Sequence, residues 1–300
     1  MVTSDTGLTA LLRRLRERPD FRRHPLRALG RRLWWRVRWR LTRRLWTRTW
    51  QDGLRIALPR GGPAALIYYQ GLSEPETAGL VCSLLTPGMA FVDVGAHIGE
   101  YTLLAARRVG ESGEVHAFEP DARVHEVLVE NIRLNGLERI VRSHPWAVSD
   151  ADGETELCLG AEPALSVLAA TASDVAARPD RPRVRTVTLD SYAAARRVDL
   201  VKIDVEGAEM LVMRGAHQLL ARPGSAAPVL VFECAAHNYA RFGYSPSDLF
   251  RLLAGAGYSV WRYDPPQGLR PQEGDPAPGV TVNLVAAKDA SRLPLPPDAR

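Results

Sequence analysis

Acidic side chains stand at the ends of four apolar runs in this chain: Asp93 in Phe-Val-Asp-Val, Glu119 after Val-His-Ala-Phe, Asp204 after Val-Lys-Ile, and Glu233 after Leu-Val-Phe. A short apolar run bounded by glycine or turn residues reads as a buried strand, and an acid at its tip faces the opening of the sheet. Two of the tips lead into glycine-bearing turns, Gly95-Ala96-His97-Ile98-Gly99 and Val205-Glu206-Gly207. Gly95 and Gly99 allow backbone angles and close approaches that a side chain forbids. Glu119 follows the first turn by about 20 residues, the distance at which an acid binds ribose hydroxyls in a nucleotide-binding βαβ unit.

Charge narrows the ligand. A dinucleotide brings a pyrophosphate to the helix N-terminus and goes with Gly-x-Gly-x-x-Gly, whereas this turn is Gly95-x-x-x-Gly99 with Asp93 two residues before it. A carboxylate repels phosphate but suits the ammonium and sulfonium charges of S-adenosylmethionine. The expected cofactor site is therefore Asp93, Gly95, Ala96, His97, Gly99, Glu119 and Asp204, with adenine contacts from the stretch 146–150, at Ala147 and through stacking on Trp146. Methyl transfer to a hydroxyl also needs a base, and Asp204 or Glu206 is the candidate. Lys202 and Glu233 would position the acceptor or tune the carboxylates, and His237 is the alternative base. No His/Cys/Asp/Glu spacing specifies a metal ligand set, and whether a divalent ion takes part is left open by the clustered carboxylates.

These groups need a scaffold of alternating strands and helices. Strands are expected over 90–94, 114–118, 140–148, 184–189, 198–203, 228–232, 258–263 and 280–287, with helices over 73–85, 100–109, 124–135, 191–196, 207–220 and 245–254. Strand alternation puts Lys202 and Asp204 on one face. In a doubly wound order the 198–203 strand neighbours the 90–94 strand at the switch point, so that Asp204 faces Asp93 across the crevice. The two final strands suggest an antiparallel edge on a mostly parallel sheet. An Ala/Ser/Pro-rich connector over 161–182 is a candidate substrate loop. Ahead of the sheet, 53–58 and 64–69 read as a lead-in hairpin, and the tail after Asp289 reads as loose. The organisation expected is a basic segment over 1–50, a lead-in over 51–87, the ligand-binding domain over 88–290 and a tail over 291–300.

The net charge of +5 hides an asymmetry. Residues 1–50 hold 15 arginines against Asp5, Glu17 and Asp20, a net of +12, which leaves −7 for the remainder. Leu33, Val37, Leu41 and Leu45 recur at a helical step among tryptophans and arginines, as in a basic amphipathic helix. Residues 8–50 are thus a candidate peripheral membrane contact, with partner docking, a solvated helix and nucleic acid as the other readings. Three dispersed cysteines and the lack of a long apolar segment point to a reducing, cytoplasmic setting, with the inner membrane surface as the peripheral site.

Taken together, Phe91-Val-Asp-Val-Gly-Ala-His-Ile-Gly-Glu-Tyr-Thr102, Phe118-Glu-Pro120, Thr188-Leu-Asp190 and Val201-Lys-Ile-Asp-Val-Glu-Gly-Ala-Glu209 resemble the FkbM-type methyltransferases, and Leu230-Val-Phe-Glu233 and Asn283 fit the same pattern. The likeness covers about 65–287, outside the basic segment. It implies a class I S-adenosylmethionine fold, a Rossmann-like doubly wound α/β sheet, and O-methylation of a hydroxyl on a sugar, polyketide or other secondary metabolite. His97 stands where the family often has Asn. The competing classes are a dinucleotide oxidoreductase, disfavoured by Asp93 and the missing third glycine, and a non-catalytic scaffold on the same fold, recruited to a membrane or partner by the basic segment.

Overall fold

A computed structural model describes residues 21–22, 24–159, 181–277 and 279–295, and the backbone of 167–168. The chain divides into two compact units, 1–75 and 76–300.

In the N-terminal unit, helix α1 (Pro25–Leu41) opens with proline in its first turn, where the missing N–H costs no helix bond. Strands β1 (Trp46–Thr49) and β2 (Arg55–Leu58) form an antiparallel hairpin with Trp46 opposite Leu58, and helix α2 (Ala64–Gln70) follows. The hairpin therefore uses Trp46–Thr49, which was expected to be helix, while 64–69 is helix instead of strand. The Asp52-Gly53 turn, both residues at positive φ, joins the two strands, and Pro63 starts α2 among helix-forming Ala-Ala-Leu. The buried side of α1 is aromatic: Trp35 stacks on Tyr68 at 5.4 Å and meets Trp39 edge-on at 5.5 Å. Guanidiniums complete these layers, Arg38 over Trp39 and Trp46 and Arg48 over Trp46 and Tyr68. Such contacts place arginine charge against ring faces without a carboxylate partner.

The second unit is built on an eight-stranded sheet. Its strands are β3 (Ala90–Val94), β4 (Glu114–Phe118), β5 (Val141–His144), β10 (Leu200–Ile203), β11 (Val229–Ala235), β12 (Ser259–Asp264), β13 (Gly268–Pro271) and β14 (Thr281–Ala287). They lie in the order 13-12-14-11-10-3-4-5. The five strands from β11 to β5 run parallel, and β14, β12 and β13 add an antiparallel edge, as expected. The chain winds outward through β3, β4 and β5, then returns to β10 beside β3 and winds the other way. The switch point is thus between β3 and β10.

Strand alternation sends Val92, Val94, Phe118, Val201 and Ile203 into one core with helices α6 (Leu189–Ala193), α7 (Glu209–Arg214), α8 (His217–Ala221) and α10 (Pro246–Gly255). Helices α4 (Glu100–Val109) and α5 (Ala122–Leu134) serve the other face, and Asn131 of α5 donates to the Ile98 carbonyl at 2.8 Å. Helix α3 (Pro75–Leu84) precedes the sheet, and the short α9 (Ala236–Tyr239) follows β11. The 207–220 helix is two helices, parted at Gly215, where an added Cβ would meet the Ser149 carbonyl.

The expected strand 140–148 is broken at Pro145, which has no N–H for a ladder. Beyond it, β6 (Ala147–Val148) leaves the main sheet and pairs with β9 (Arg183–Val187), which pairs in turn with β7 (Gly153–Cys158). A two-residue strand β8 (Val167–Leu168) borders β7, and the rest of the 161–182 substrate-loop candidate, apart from Arg181 and Pro182, lies outside the described residues. The tail is not loose as far as residue 295: Leu293 and Leu295 are buried, and Arg292 donates to the carbonyls of Asp199, Ser225 and Ala227. Truncating Leu293 to Ala should lower the unfolding free energy by about 2–5 kcal/mol, read as a lower urea midpoint. An unchanged midpoint would mean that the tail contributes no packing.

Candidate functional site

Parallel register sets four strand tips level with one another. Ile203 pairs with Phe232 and Val94, and Val94 pairs with Phe118, so Glu233, Asp204, Gly95 and Glu119 form a row at the carboxyl ends of β11, β10, β3 and β4. This row spans the switch point, where a doubly wound sheet opens its crevice. Of the residues expected there, Asp93, Gly95, Ala96, His97, Gly99, Lys202, Asp204 and Glu206 belong to β3, β10 or the loops that follow them, and Glu119 stands at the end of β4.

The loop after β3 is folded by its own backbone. Gly95 and Ala96 both donate to the Phe118 carbonyl, at 3.0 and 2.9 Å. Gly95 has φ 82°, and a Cβ there would lie 1.9 Å from the carbonyl oxygen of Asp204. Only glycine lets the two loops meet this closely. His97 takes φ 50°, an uncommon conformation for a side-chain-bearing residue. Both its ring nitrogens are closed to solvent and have no hydrogen-bond partner among the described residues. Burial pushes its pKa down to about 4, so the ring is neutral.

Glu119 is held by the same loop. One carboxylate oxygen accepts from the His97 N–H at 3.0 Å and the other from the Asp121 N–H at 2.9 Å. Each oxygen retains a lone pair for a further donor, the requirement for binding a diol. Burial pushes this carboxyl up to about 7 against the lowering effect of those two amides.

Asp93 differs from expectation. It is fully buried, its Oδ2 accepting from Thr102 Oγ1 at 2.6 Å while Oδ1 has no partner among the described residues. Its carboxylate therefore does not open directly on the crevice, because Thr102 of α4 and the neighbouring Lys202 on β10 enclose it. Burial raises its pKa, with Lys202 acting in the opposite direction.

Lys202 joins the two acids of the sheet centre. It is buried, its Nζ donates to Asp204 Oδ2 at 3.0 Å, and it lies 4.3 Å from the centre of the Tyr101 ring. A buried ammonium needs such partners to offset its lost hydration. The Asp204 side chain is one-third exposed, so a carboxylate anchored from beneath reaches the open side of the crevice.

The loop after β10 is shaped by Glu209 of its own motif together with Asn238 and Tyr244, which no motif contains. Glu206 has φ 53°, and Asn238 Nδ2 donates to its Oε2 at 3.2 Å. Buried Glu209 accepts from the N–H groups of Val205 and Gly207, and the Tyr244 hydroxyl donates to the Gly207 carbonyl at 2.7 Å. Tyr244 stacks on Tyr239, whose hydroxyl donates to the Glu233 carbonyl at 3.0 Å. Asn238 directly follows the alternative base His237, which is exposed on α9, and Tyr101-Thr102 were in the first motif without a role. Glu233 is half-buried opposite Asn283, whose amide donates to Thr77 of α3.

Ala147 is not at a free tip. It is buried in the small sheet with Leu157, Val184 and Ala208, paired in register with Thr186. Trp146 stacks on His144 at 4.5 Å and carries Arg185 at 4.2 Å, so its ring is already engaged. The cause is again Pro145, which turns the chain away from the row. Trp146 and Arg185 line a cavity of about 920 Å³ along the β5 edge. Its floor is a closed relay: the Tyr192 hydroxyl lies 2.7 Å from His144 Nε2 and 2.8 Å from His116 Nδ1, and His116 Nε2 lies 3.2 Å from Glu114.

The crevice fits S-adenosylmethionine by the chemistry of its donors and acceptors. Glu119 has lone pairs for ribose hydroxyls, Asp204 keeps a carboxylate partly open to the crevice, and the His97 ring nitrogens are buried polar atoms with no partner among the described residues. Among the described residues no three His, Cys, Asp or Glu side chains gather as a metal-ligand set.

The family described as Methyltransferase FkbM domain matches residues 93–260, more than half of the chain. No curated protein matches the sequence. Solved structures with similarity include an S-adenosylmethionine-dependent O-methyltransferase from Thermotoga maritima, 15% identical over 81% of this chain and 77% of that chain, with a TM-score of 0.39. A TehB-like S-adenosylmethionine-dependent methyltransferase from Corynebacterium glutamicum is 12% identical over 74% and 92%, with a TM-score of 0.43. A precorrin-6y C5,15-methyltransferase from Geobacter metallireducens is 14% identical over 72% and 91%, with a TM-score of 0.39.

The raised Glu119 carboxyl has a signature in stability. Its ordinary value is 4.5, and in the folded chain it is about 7. The stabilising effect of the neutral form is complete below 4.5 and is lost as the pH rises through 7. Glu119→Gln cannot ionise, so the stability of the natural chain relative to this variant should fall between pH 4.5 and 7 and level off above. A pH-independent difference in denaturation midpoints would contradict a raised carboxyl.

Proposed function

The chain belongs to the FkbM methyltransferase family, and from that premise we propose that it is an O-methyltransferase, moving a methyl group from S-adenosylmethionine to a hydroxyl on a small molecule such as a sugar, polyketide or other secondary metabolite. Dependence on S-adenosylmethionine follows from the family and the class I fold; the oxygen acceptor is our reading. The observation that supports it best is the Asp204 carboxylate, presented to the crevice by buried Lys202 at 3.0 Å and placed level with the ribose-binding candidate Glu119.

Bound S-adenosylmethionine supplies a methyl group on a positively charged sulfur. The protein must supply alignment, exclusion of water and a proton acceptor. Glu119 and the 95–99 loop hold the donor end of the crevice. Asp204 accepts the proton of the acceptor hydroxyl as its oxygen becomes nucleophilic, and Lys202 fixes the carboxylate so that one oxygen remains for that proton. Glu206, tethered by Asn238, and Glu233 flank the same opening and position the acceptor. The separation of roles is physical: Glu119 is tied to two amides, whereas Asp204 is tied to one ammonium and is partly open.

Two measurements test this. Calorimetric titration with S-adenosylmethionine should show binding that Glu119→Ala weakens, and no comparable binding of NAD. With labelled donor and a panel of hydroxylated acceptors, Asp204→Asn should retain donor binding while turnover falls by about 10²–10⁴-fold. Undiminished turnover would remove Asp204 from the reaction. Absence of donor binding in the natural chain would favour a scaffold on a methyltransferase fold.

A further inference from the structure

Helix α1 has two apolar faces, and the described residues cover only one. At roughly 100° per residue, Ala28, Trp35 and Trp39 fall on one side and are buried. Leu26, Leu29, Leu33, Val37 and Leu41 fall on the opposite side, with Trp34 at its border. Leu26 is 84% exposed, Leu33 63% and Leu41 76%. A contiguous aliphatic stripe of this length in water marks an interaction surface.

Its borders identify the occupant. Exposed Arg27 borders the stripe beside Trp34, and exposed Arg36 and Arg40 lie beside Leu29 on the other side, whereas Arg31 turns inward and donates to the Tyr69 carbonyl at 2.8 Å. Between residues 21 and 50 there are 11 arginines and no acid. A second copy of this helix would set like-charged arginines against each other. Nucleic acid would meet aliphatic side chains at the centre of the face. A surface of anionic phospholipid satisfies both features, with acyl chains under the leucines and headgroup phosphates beside Arg27, Arg36 and Arg40. Trp34, half-exposed at the border, suits the headgroup level.

We propose that α1 lies flat on anionic lipid through its outward leucine stripe, so that this protein works at a membrane surface. The inference goes beyond the methyl-transfer reading and is independent of it. No helix among the described residues is long and apolar enough to cross a membrane, which makes surface contact the relevant mode.

The test is co-sedimentation of the full chain with phosphatidylcholine vesicles, with and without phosphatidylglycerol. The natural chain should partition to the anionic vesicles and not to the neutral ones. Leu29→Asp with Leu33→Asp should lower that partitioning by on the order of tenfold or more, and Arg36→Gln with Arg40→Gln by on the order of tenfold. Far-ultraviolet circular dichroism unchanged in both variants keeps the comparison to folded protein. Equal partitioning of the natural chain to neutral vesicles, or of either variant to anionic ones, would overturn the proposal. A dimer in solution that the leucine variant dissociates would assign the stripe to a second copy. Duplex DNA binding lost in the arginine variant and kept in the leucine variant would assign these arginines to nucleic acid.

Discussion

The contact between Gly95 and the carbonyl of Asp204 is the constraint from which the crevice follows. Two loops, more than a hundred residues apart in sequence, approach until no side chain fits between them. The approach requires β3 and β10 to be adjacent and parallel, which in turn requires the chain to wind outward through β4 and β5 and return to the sheet centre. It also requires the first loop to turn sharply, a turn secured by paired donation from Gly95 and Ala96 to Phe118. The remaining side chains are arranged around this contact. Glu119 clamps the first loop at the His97 amide, while Glu209 and Tyr244 clamp the second.

The electrostatics of the sheet centre follow from the same adjacency. Lys202 and Asp93 are paired in register, and Asp204 follows two residues on. One ammonium thus lies between a fully enclosed acid and a partly open one. Burial disfavours charge on Asp93, the lysine favours it, and the net direction is upward. The enclosed acid is part of the support, and the open one is the group able to meet a ligand.

Local periodicity predicted the central strands well because buried parallel strands read as uninterrupted apolar runs, and 90–94 and 114–118 have the expected bounds. The row of acids at the tips was legible for the same reason, since a strand's end is marked by the end of its apolar run. Legibility failed where one residue redirects the backbone. Pro145 ends β5, so Ala147 and Trp146 belong to the small sheet. Asp52-Gly53 closes a hairpin that a helical reading of Leu45 and Trp46 had absorbed. Asn238 and Tyr244 escaped because their partners are brought close by tertiary folding, and no spacing announces a hydrogen bond across 32 or 35 residues.

The fastening of the tail bears on how the molecule is handled. Arg292 grips carbonyls at Asp199 and Ala227, just before β10 and β11 begin, whereas Asp204 and Glu233 sit where those strands finish. The far rim of the sheet is therefore the anchored rim. An immobilising group attached beyond Leu295 would start from that rim, leaving the crevice turned away from the support and open to acceptors too bulky to enter from behind.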